Sequence, residues 1–413
     1  MKILVINTGS SSLKYDLFFM DTESVLFRGR IDGIGMESGQ HRFSGVGCPA
    51  TTNRLSVPDQ MSALSVMLDT LQNGCIHSLQ DIDGIAHRVG HGGVHRQAVH
   101  ITPEVLGELK RMIPFVPLHL PAMISEIEVC MSLMPDTCHV AVNDAWFHTT
   151  MPEEARLYGL PFEYFEGRGY QRVGYHGFSH AYVAERAAAF MGSPIEDLSL
   201  ITCHLGNGSS LCAVAGGKSV DTTMGMSALE GLIMGTRAGD VDPGLIPVIM
   251  KEESLSPDQM LEILYTRSGL AGLSGIGRNM QDIEAAMEEG NKRAMLAFKA
   301  FCHRLKRYIG AMLMVLGKCD AIIFTGGIGE NSPRVRSAVL QGASELGFVI
   351  NEERNFHPQP WEGGDVLDVT GNGSRSRILA IQTFEELIMA RQCSRVMTDK
   401  AQPASKTNKT SCQ

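Results

Sequence analysis

The sequence predicts an α/β fold made of two related domains. Two stretches repeat one pattern: Ile3-Leu4-Val5-Ile6-Asn7-Thr8-Gly9-Ser10-Ser11-Ser12-Leu13 and Leu200-Ile201-Thr202-Cys203-His204-Leu205-Gly206-Asn207-Gly208-Ser209-Ser210-Leu211. Each is an apolar run, a Gly/Ser turn and a second apolar run, which reads as strand, tight turn, strand. Short apolar strands alternate elsewhere with segments of helical period, the signature of a mixed class. A chain of 413 residues also exceeds what one simple core holds. A turn rich in Gly and Ser offers backbone N–H groups and small hydroxyls to a phosphate. One such turn per half suggests two domains gripping a polyphosphate.

The elements follow in order. Lys2–Phe19 reads as a hairpin and Ser24–Ile31 as a further strand, with strands and loops over 36–55. Ser62–Gln72 and Pro103–Met112 have helical spacing, Gly84–Val89 is a short buried strand, and Cys138–Asn143 is another. Ser179 is placed to cap a helix over Ala181–Met191. Leu198–His204 and Leu211–Ala215 form the second hairpin, followed by Val220–Met224. Met295–Leu316 reads as a long amphipathic helix feeding the strand Ala321–Phe324, and Arg377–Ile381 as a last strand before a helix over Glu385–Gln392. Residues 397–413 are polar, without apolar period, and read as a disordered tail. The expected division is 1–146 plus about 382–396 for the first domain and 147–381 for the second.

Composition narrows the function. A net charge of −9, from 36 basic and 45 acidic residues, argues against a nucleic-acid or membrane-surface partner. The ten cysteines form no CxxC pair and Met1-Lys2-Ile3 opens no signal peptide, so reduced thiols in a cytoplasmic protein are expected. No apolar run reaches the ~18 residues of a membrane span. The 23 methionines read as core filler.

A P-loop sequence is absent. Gly326-Gly327-Ile328-Gly329 is too short for a dinucleotide fingerprint, and reads as a strand-to-helix turn where a nucleotide approaches the backbone. Arg88 and Arg237 lie near glycines, where a guanidinium projects into a cleft and can meet carboxylate or phosphate; an ion pair at a domain interface is the alternative. His87 and His91 are four apart, but Gly90, Gly92 and Gly93 argue against a helix there, so no zinc site is expected and these read as core or cleft histidines. His176, boxed by Gly174 and Gly177, fits a donor to a phosphoryl group or a helix-entry hydrogen bond. Asp144 and Glu385 each follow a strand, where a carboxylate can hold Mg²⁺; for Glu385 the alternative is complementing the helix dipole.

Together these motifs resemble the acetate kinase family, a branch of the actin-like ATPase superfamily. The resemblance runs from Lys2 to about Gln392 and includes Asn7 through Lys14, His87-Arg88-Val89, Asp144 through His148, His176-Gly177-Phe178-Ser179-His180, His204 through Ser210, Met234-Gly235-Thr236-Arg237 and Gly326 through Asn331. It implies two duplicated actin-like (ribonuclease H-like) domains with a nucleotide cleft between them, forming a homodimer. It implies reversible transfer of the γ-phosphate of Mg-ATP to acetate by in-line displacement, with Mn²⁺ able to replace Mg²⁺. The catalytic set would be Arg88, Asp144, His176 and Arg237, with Asp144 orienting Arg237 or the magnesium shell. Asn7 and Glu385 would place the metal. ATP would be held by Ser10, Ser12 and Lys14, by His204, Leu205, Gly206, Asn207 and Gly208, by Asn279, Met280 and Gln281, and by Gly327, Ile328, Gly329 and Asn331.

The chain departs from that pattern at several places. The acyl pocket would be formed by Gly90, Leu118, Tyr175 and Ala228, with Gly90 where Val is usual, Ala228 where Pro is usual and Tyr175 where Phe is usual. Fewer carbons there should admit propionate beside acetate, unless the Tyr175 hydroxyl refills the space. The usual Ser-Asp-x-Arg-Asp reads Arg278-Asn279-Met280-Gln281-Asp282, which alters ribose and base contacts. Alternatives are a propionate or butyrate kinase, or a non-catalytic actin-like nucleotide switch. The switch has no need of Arg88, Asp144, His176 and Arg237 together.

Overall fold

The computed structural model describes residues 1–401 except residues 10, 75, 91–92, 94, 116–119, 359–360 and 362–363. The expected site residues Ser10 and Leu118 lie outside the described residues. The chain divides into two compact units: Met1–Trp146 with the segment from Glu385 onward, and Phe147–Phe384.

In unit 1 the strands are β1 (Lys2–Thr8), β2 (Ser12–Phe19), β3 (Ser24–Asp32), β4 (Gly39–Gly45), β5 (Cys48–Leu55), β6 (Gly84–Val89), β7 (Val99–His100) and β8 (Cys138–Asn143). They form one sheet in the order β5-β4-β3-β2-β1-β6-β8-β7. The β1–β2 and β2–β3 pairs are antiparallel, whereas β6 runs parallel to β1 and to β8. The three parallel strands therefore end together, and they deliver Asn7, Arg88 and Asp144 to one edge, where open α/β sheets bind ligands. The helix Gln60–Gly74 buries Ala63, Leu64, Met67, Leu68 and Leu71, an i, i+3/i+4 stripe against Leu4, Ile6 and Leu17.

The last helix runs Glu385–Ala401 and packs on β1, β6 and β8 through Ile388, Met389, Ala390 and Cys393. It therefore continues past residue 396, where the sequence predicted a disordered tail. Gly84 explains the extension: a Cβ there would lie 2.4 Å from Met397 Sδ, so the missing side chain gives Met397 a seat on the sheet. Residues 402–413 lie outside the described residues.

Unit 2 carries β9 (Ser199–Leu205), β10 (Ser209–Ala215), β11 (Lys218–Thr222), β12 (Ala321–Thr325), β13 (Val366–Asp368) and β14 (Arg377–Ile381) in the order β11-β10-β9-β12-β14-β13. Its pairing repeats the centre of unit 1. The β9–β10 and β10–β11 pairs are antiparallel, and β12 is parallel to β9 and β14. The helix Lys292–Leu316, capped by Asn291 and closed by Gly317 at φ 71°, buries Ala294, Phe298, Phe301, Leu305 and Met312.

Two local expectations change. Ser179 does not cap its helix, which starts at Gly177 behind His176; Ser179 sits inside it and donates or accepts at His204 Nδ1, 2.8 Å away. The helices Leu120–Leu133, Leu245–Glu252, Pro257–Thr266 and Met280–Glu288 had no sequence counterpart. In the first of these the buried side carries Glu126 while Leu133 is exposed and Met131 only half-buried, which blurs the apolar period.

His41 on β4 is buried with Nε2 2.9 Å from the Tyr15 hydroxyl, and burial pushes its pKa down to about 4. The unfolded chain, with His near its ordinary 6.5, binds the extra proton first. His41 thus adds stability that is present above pH 6.5 and is lost as pH falls through about 4. Urea midpoints measured across that window should fall less steeply with acid in His41→Phe than in the native chain; parallel curves would remove His41 from the account.

Candidate active site

In unit 1 four of the expected residues meet at one guanidinium. Arg88 Nη2 donates to Asp144 Oδ2 at 2.9 Å, and Nη1 donates to Asn7 Oδ1 at 3.2 Å and lies 3.3 Å from Glu385 Oε2. Burial alone would lower the Arg88 pKa, but Asp144 and Glu385 outweigh it and raise it. Glu385, at the first position of its helix, is pushed up to about 7 by burial, against the pull of Arg88 and with the push of Asp144 and Glu386. Asp16 beneath it is likewise raised to about 7 by burial and Glu386. Within unit 1 Asp144 partners Arg88. Lys14 stands opposite Asn7 in the β1–β2 register and is exposed; Gly90 is buried directly after β6.

The first Gly/Ser turn is closed on itself. Gly9 N–H donates to Ser12 C=O at 2.8 Å, and the Gln60 amide donates to Gly9 C=O at 2.9 Å. The second turn behaves alike, with Gly206 N–H donating to Gly208 C=O at 3.0 Å. Those two N–H groups are therefore engaged and cannot serve a phosphate.

Above the second turn the structure gathers His176, Arg237 and Ser210. His176 is one of three non-glycine residues with positive φ among the described residues, at 58°. That left-handed kink lets its ring stack on His204, centroids 4.2 Å apart, with Nδ1 2.9 Å from Ser210 Oγ. Gly208 is what lets His176 and Arg237 come near one another: a Cβ there would lie 3.0 Å from His176 Nε2 and 3.4 Å from Arg237 Nη1. Arg237 Nη1 donates to Ala228 C=O at 3.2 Å and touches Met234 Sδ at 3.8 Å. Burial pushes its pKa down, with Tyr265 and Tyr175 pulling weakly upward. Among the described residues no carboxylate pairs with it. The neighbouring His180 is fully buried between Thr202 and Ser210, and burial followed by His148 and His204 drives its pKa well below the usual range.

A pocket of about 300 Å³ opens beside this turn. Gly206 and Asn207 form one wall, Asn279, Met280 and Gln281 a second, and Gly327, Ile328 and Asn331 a third. A Cβ on Gly327 would meet nothing within 4 Å, so the glycine faces open space as expected. Arg278, from the segment with altered ribose and base contacts, also lines it, as do two residues that carry no sequence signal for the site, Glu284 and Ser332. Ser332 donates to Glu284, and only the helix Met280–Glu288, absent from the sequence reading, brings Glu284 round.

Other expected residues serve the frame. Leu205 is buried in β9, and its carbonyl oxygen would lie 2.7 Å from a Cβ on Gly326. Gly329 packs against Phe324, and Glu330 occupies the helix start by accepting from Gly326 N–H at 2.9 Å. Arg336, fully buried, donates to Gly329 C=O at 2.7 Å and to Asn355 Oδ1 at 2.8 Å, fixing the far end of that short helix. A lone Arg in a helix carries no sequence signal for such a role.

The model of the Acetokinase family matches residues 2–391. This chain belongs to that family. It is 43% identical over 401 residues to the acetate kinase of Halothermothrix orenii, covering 96% of this chain and 100% of that protein. It is 44% identical over 395 residues to the acetate kinase of Treponema denticola, covering 95% and 98%. Among solved structures, Porphyromonas gingivalis acetate kinase matches with a TM-score of 0.85 at 34% identity, covering 96% of this chain and 99% of that chain. A propionate kinase from Francisella tularensis matches with a TM-score of 0.87 at 33% identity, with the same coverage. The repeated sheet of each unit is accordingly that of the actin-like ATPase fold.

Gly208→Ala tests the crowding over the turn. The added carbon forces His176 and Arg237 apart without positive φ or lost hydrogen bonds. Turnover should fall at least about tenfold, about 1.4 kcal/mol of barrier, while the melting temperature stays near that of the native chain; unchanged kcat would separate Gly208 from the reacting groups.

Proposed function

We propose that the chain catalyses reversible transfer of the ATP γ-phosphoryl group to acetate, giving acetyl phosphate and ADP, and that it also accepts propionate. The observation that carries this reading is Arg237, a buried guanidinium beside His176 with no carboxylate partner among the described residues. A cation desolvated in that way favours an anion in front of it. Adenosine fits the pocket between Asn207, Gln281 and Ile328. Arg237 and His176 take the phosphoryl oxygens, whose charge is spread over three equatorial positions in the transition state. Arg88 binds the substrate carboxylate and is itself held by Asp144. A carboxylate is already ionised at neutral pH, so the reaction requires no general base. Positioning and charge neutralisation do the work.

Unit 1 suits the magnesium ion the family implies. Asn7 and Glu385 offer hard oxygen donors that converge on one point, Arg88 Nη1. Asp144, Glu385 and Glu386 gather carboxylates around that guanidinium, a setting that suits a further cation. Asn7 and Glu385 would hold the ion. When bound it would neutralise charge on the nucleotide phosphates. Mn²⁺, a homodimer and a cytoplasmic location belong to the same reading.

For the acyl group, Tyr175 donates its hydroxyl to Met226 C=O at 2.7 Å. That hydroxyl is turned to the loop backbone, which supports a reading in which the smaller Ala228 leaves room for a longer acyl chain. Each buried methylene contributes about 0.8 kcal/mol, so propionate should approach acetate in kcat/KM and butyrate should fall behind.

Hydroxamate trapping of acyl phosphate from Mg-ATP with acetate, propionate and butyrate tests the reading. Arg237→Ala should lose about 10³-fold or more in kcat. ATP binding without turnover on any acid would favour the nucleotide switch. A steep fall from acetate to propionate would remove the enlarged acyl pocket and leave the kinase.

A further inference from the structure

Beneath Arg88, in the interior of unit 1, four side chains capable of ligation or proton exchange meet without a role in phosphoryl transfer. His87 follows Ala86 on β6, His139 lies on β8, and Glu126 and Cys130 lie four apart on the helix Leu120–Leu133. All four are buried, none more than 3% exposed. His87 Nδ1 is 2.9 Å from Glu126 Oε1, and Cys130 Sγ is 3.3 Å from the same oxygen. On the other side of the imidazole, His87 Nε2 is 2.9 Å from His139 Nδ1, and His139 Nε2 is 2.9 Å from Met134 O.

The protons of this chain can be assigned. Met134 C=O can only accept, so His139 Nε2 carries a hydrogen. With its one N–H given to that carbonyl, the buried His139 ring presents Nδ1 as an acceptor. His87 Nε2 must then donate, and a neutral His87 turns the lone pair of Nδ1 toward Glu126. Without a metal, one proton must sit between His87 Nδ1 and Glu126, and the Cys130 thiol must point at the same carboxylate. Even then Glu126 Oε2 is buried with no hydrogen-bond partner among the described residues. Such an oxygen is costly to bury.

We propose that His87, Glu126 and Cys130 form a structural site for one zinc-class divalent metal ion. Their ligand atoms lie within 4.8 Å of one another. Nitrogen, thiolate and carboxylate are the donors zinc takes. The unpartnered Glu126 Oε2 would supply a fourth donor, and the burial of all three residues keeps bulk water away. The hydrogen bond from His87 Nε2 to His139 is the outer contact that fixes the tautomer of a ligating histidine. Binding displaces two protons, the thiol proton of Cys130 and the one shared by His87 and Glu126. Two positive charges leave as two arrive, and the interior stays neutral. The ion is distinct from the magnesium that Asn7 and Glu385 would hold. It enters as the chain folds, because the site is sealed afterwards.

Cells supplied with zinc or cobalt should yield protein that keeps one equivalent of that metal per chain after gel filtration in excess magnesium. Cobalt protein should show a thiolate-to-cobalt charge-transfer band. Glu126→Gln and Cys130→Ser should each lose the metal and the band, and Cys212→Ser should keep both. The circular dichroism of the Glu126→Gln and Cys130→Ser variants checks that they fold. Native protein free of metal and without the band would overturn the site. So would metal that survives in Glu126→Gln and Cys130→Ser, or that leaves with Cys212.

Discussion

A guanidinium removed from water requires negative charge, and this chain meets that requirement in two opposite ways. Arg88 is surrounded by Asn7, Asp144 and Glu385, its charge answered before any ligand arrives. Arg237 has a backbone carbonyl and a thioether for partners. The first arrangement holds a guanidinium at a defined angle. The second leaves part of the electrostatic demand open to an incoming anion. Much of the surrounding architecture serves this contrast, including the acidic crowding on unit 1 and the glycine at 208 that brings His176 beside Arg237.

The repeated sheet explains how one chain produces both settings. In each unit an antiparallel hairpin leads into parallel strands, and the reactive groups follow the carboxyl ends of those strands. In unit 1 the strand ends carry Asn7, Arg88 and Asp144, all polar. In unit 2 they carry Gly206, which lines the pocket, and Gly326, which packs on Leu205 and leads into Gly327, whose missing side chain leaves the pocket open. The same topology thus yields a charged site once and a shaped cavity once. The difference lies in the residue that follows each strand.

The parts legible in the sequence were those with local causes. The hairpins around Gly9 and Gly206, the strand Gly84–Val89 and the core stripe of Lys292–Leu316 declare themselves by period and turn chemistry. Arg88, His176 and Arg237 stood out because glycines flank them. What stayed hidden depends on distant partners. His176 takes a left-handed conformation that no single residue predicts, which moves the helix start away from Ser179. Glu284 and Ser332 reach the pocket only because a helix with a weak apolar period brings one of them round. Arg336 and Glu126 look like solvent charges in one dimension and are buried in three.

The loop that carries Ala228 is clamped at both ends. Tyr158 donates to Glu230 at 2.7 Å and accepts from Met226 N–H at 2.8 Å, while Arg172 pairs with Glu230 at 2.6 Å. A Cβ on Gly225 would lie 1.9 Å from Glu230 Oε2, so these groups close directly over the backbone. At the other end Gly231, with φ 103°, packs on the Thr223 carbonyl. Ala228 lies within this clamped segment, and its carbonyl is the one that orients Arg237. A loop free to collapse would refill the volume of a missing ring, and the identity of residue 228 would matter little. A loop held at Tyr158, Tyr175 and Arg172 keeps the space. A larger residue at 228 must therefore either fill that space or shift the carbonyl that accepts from Arg237.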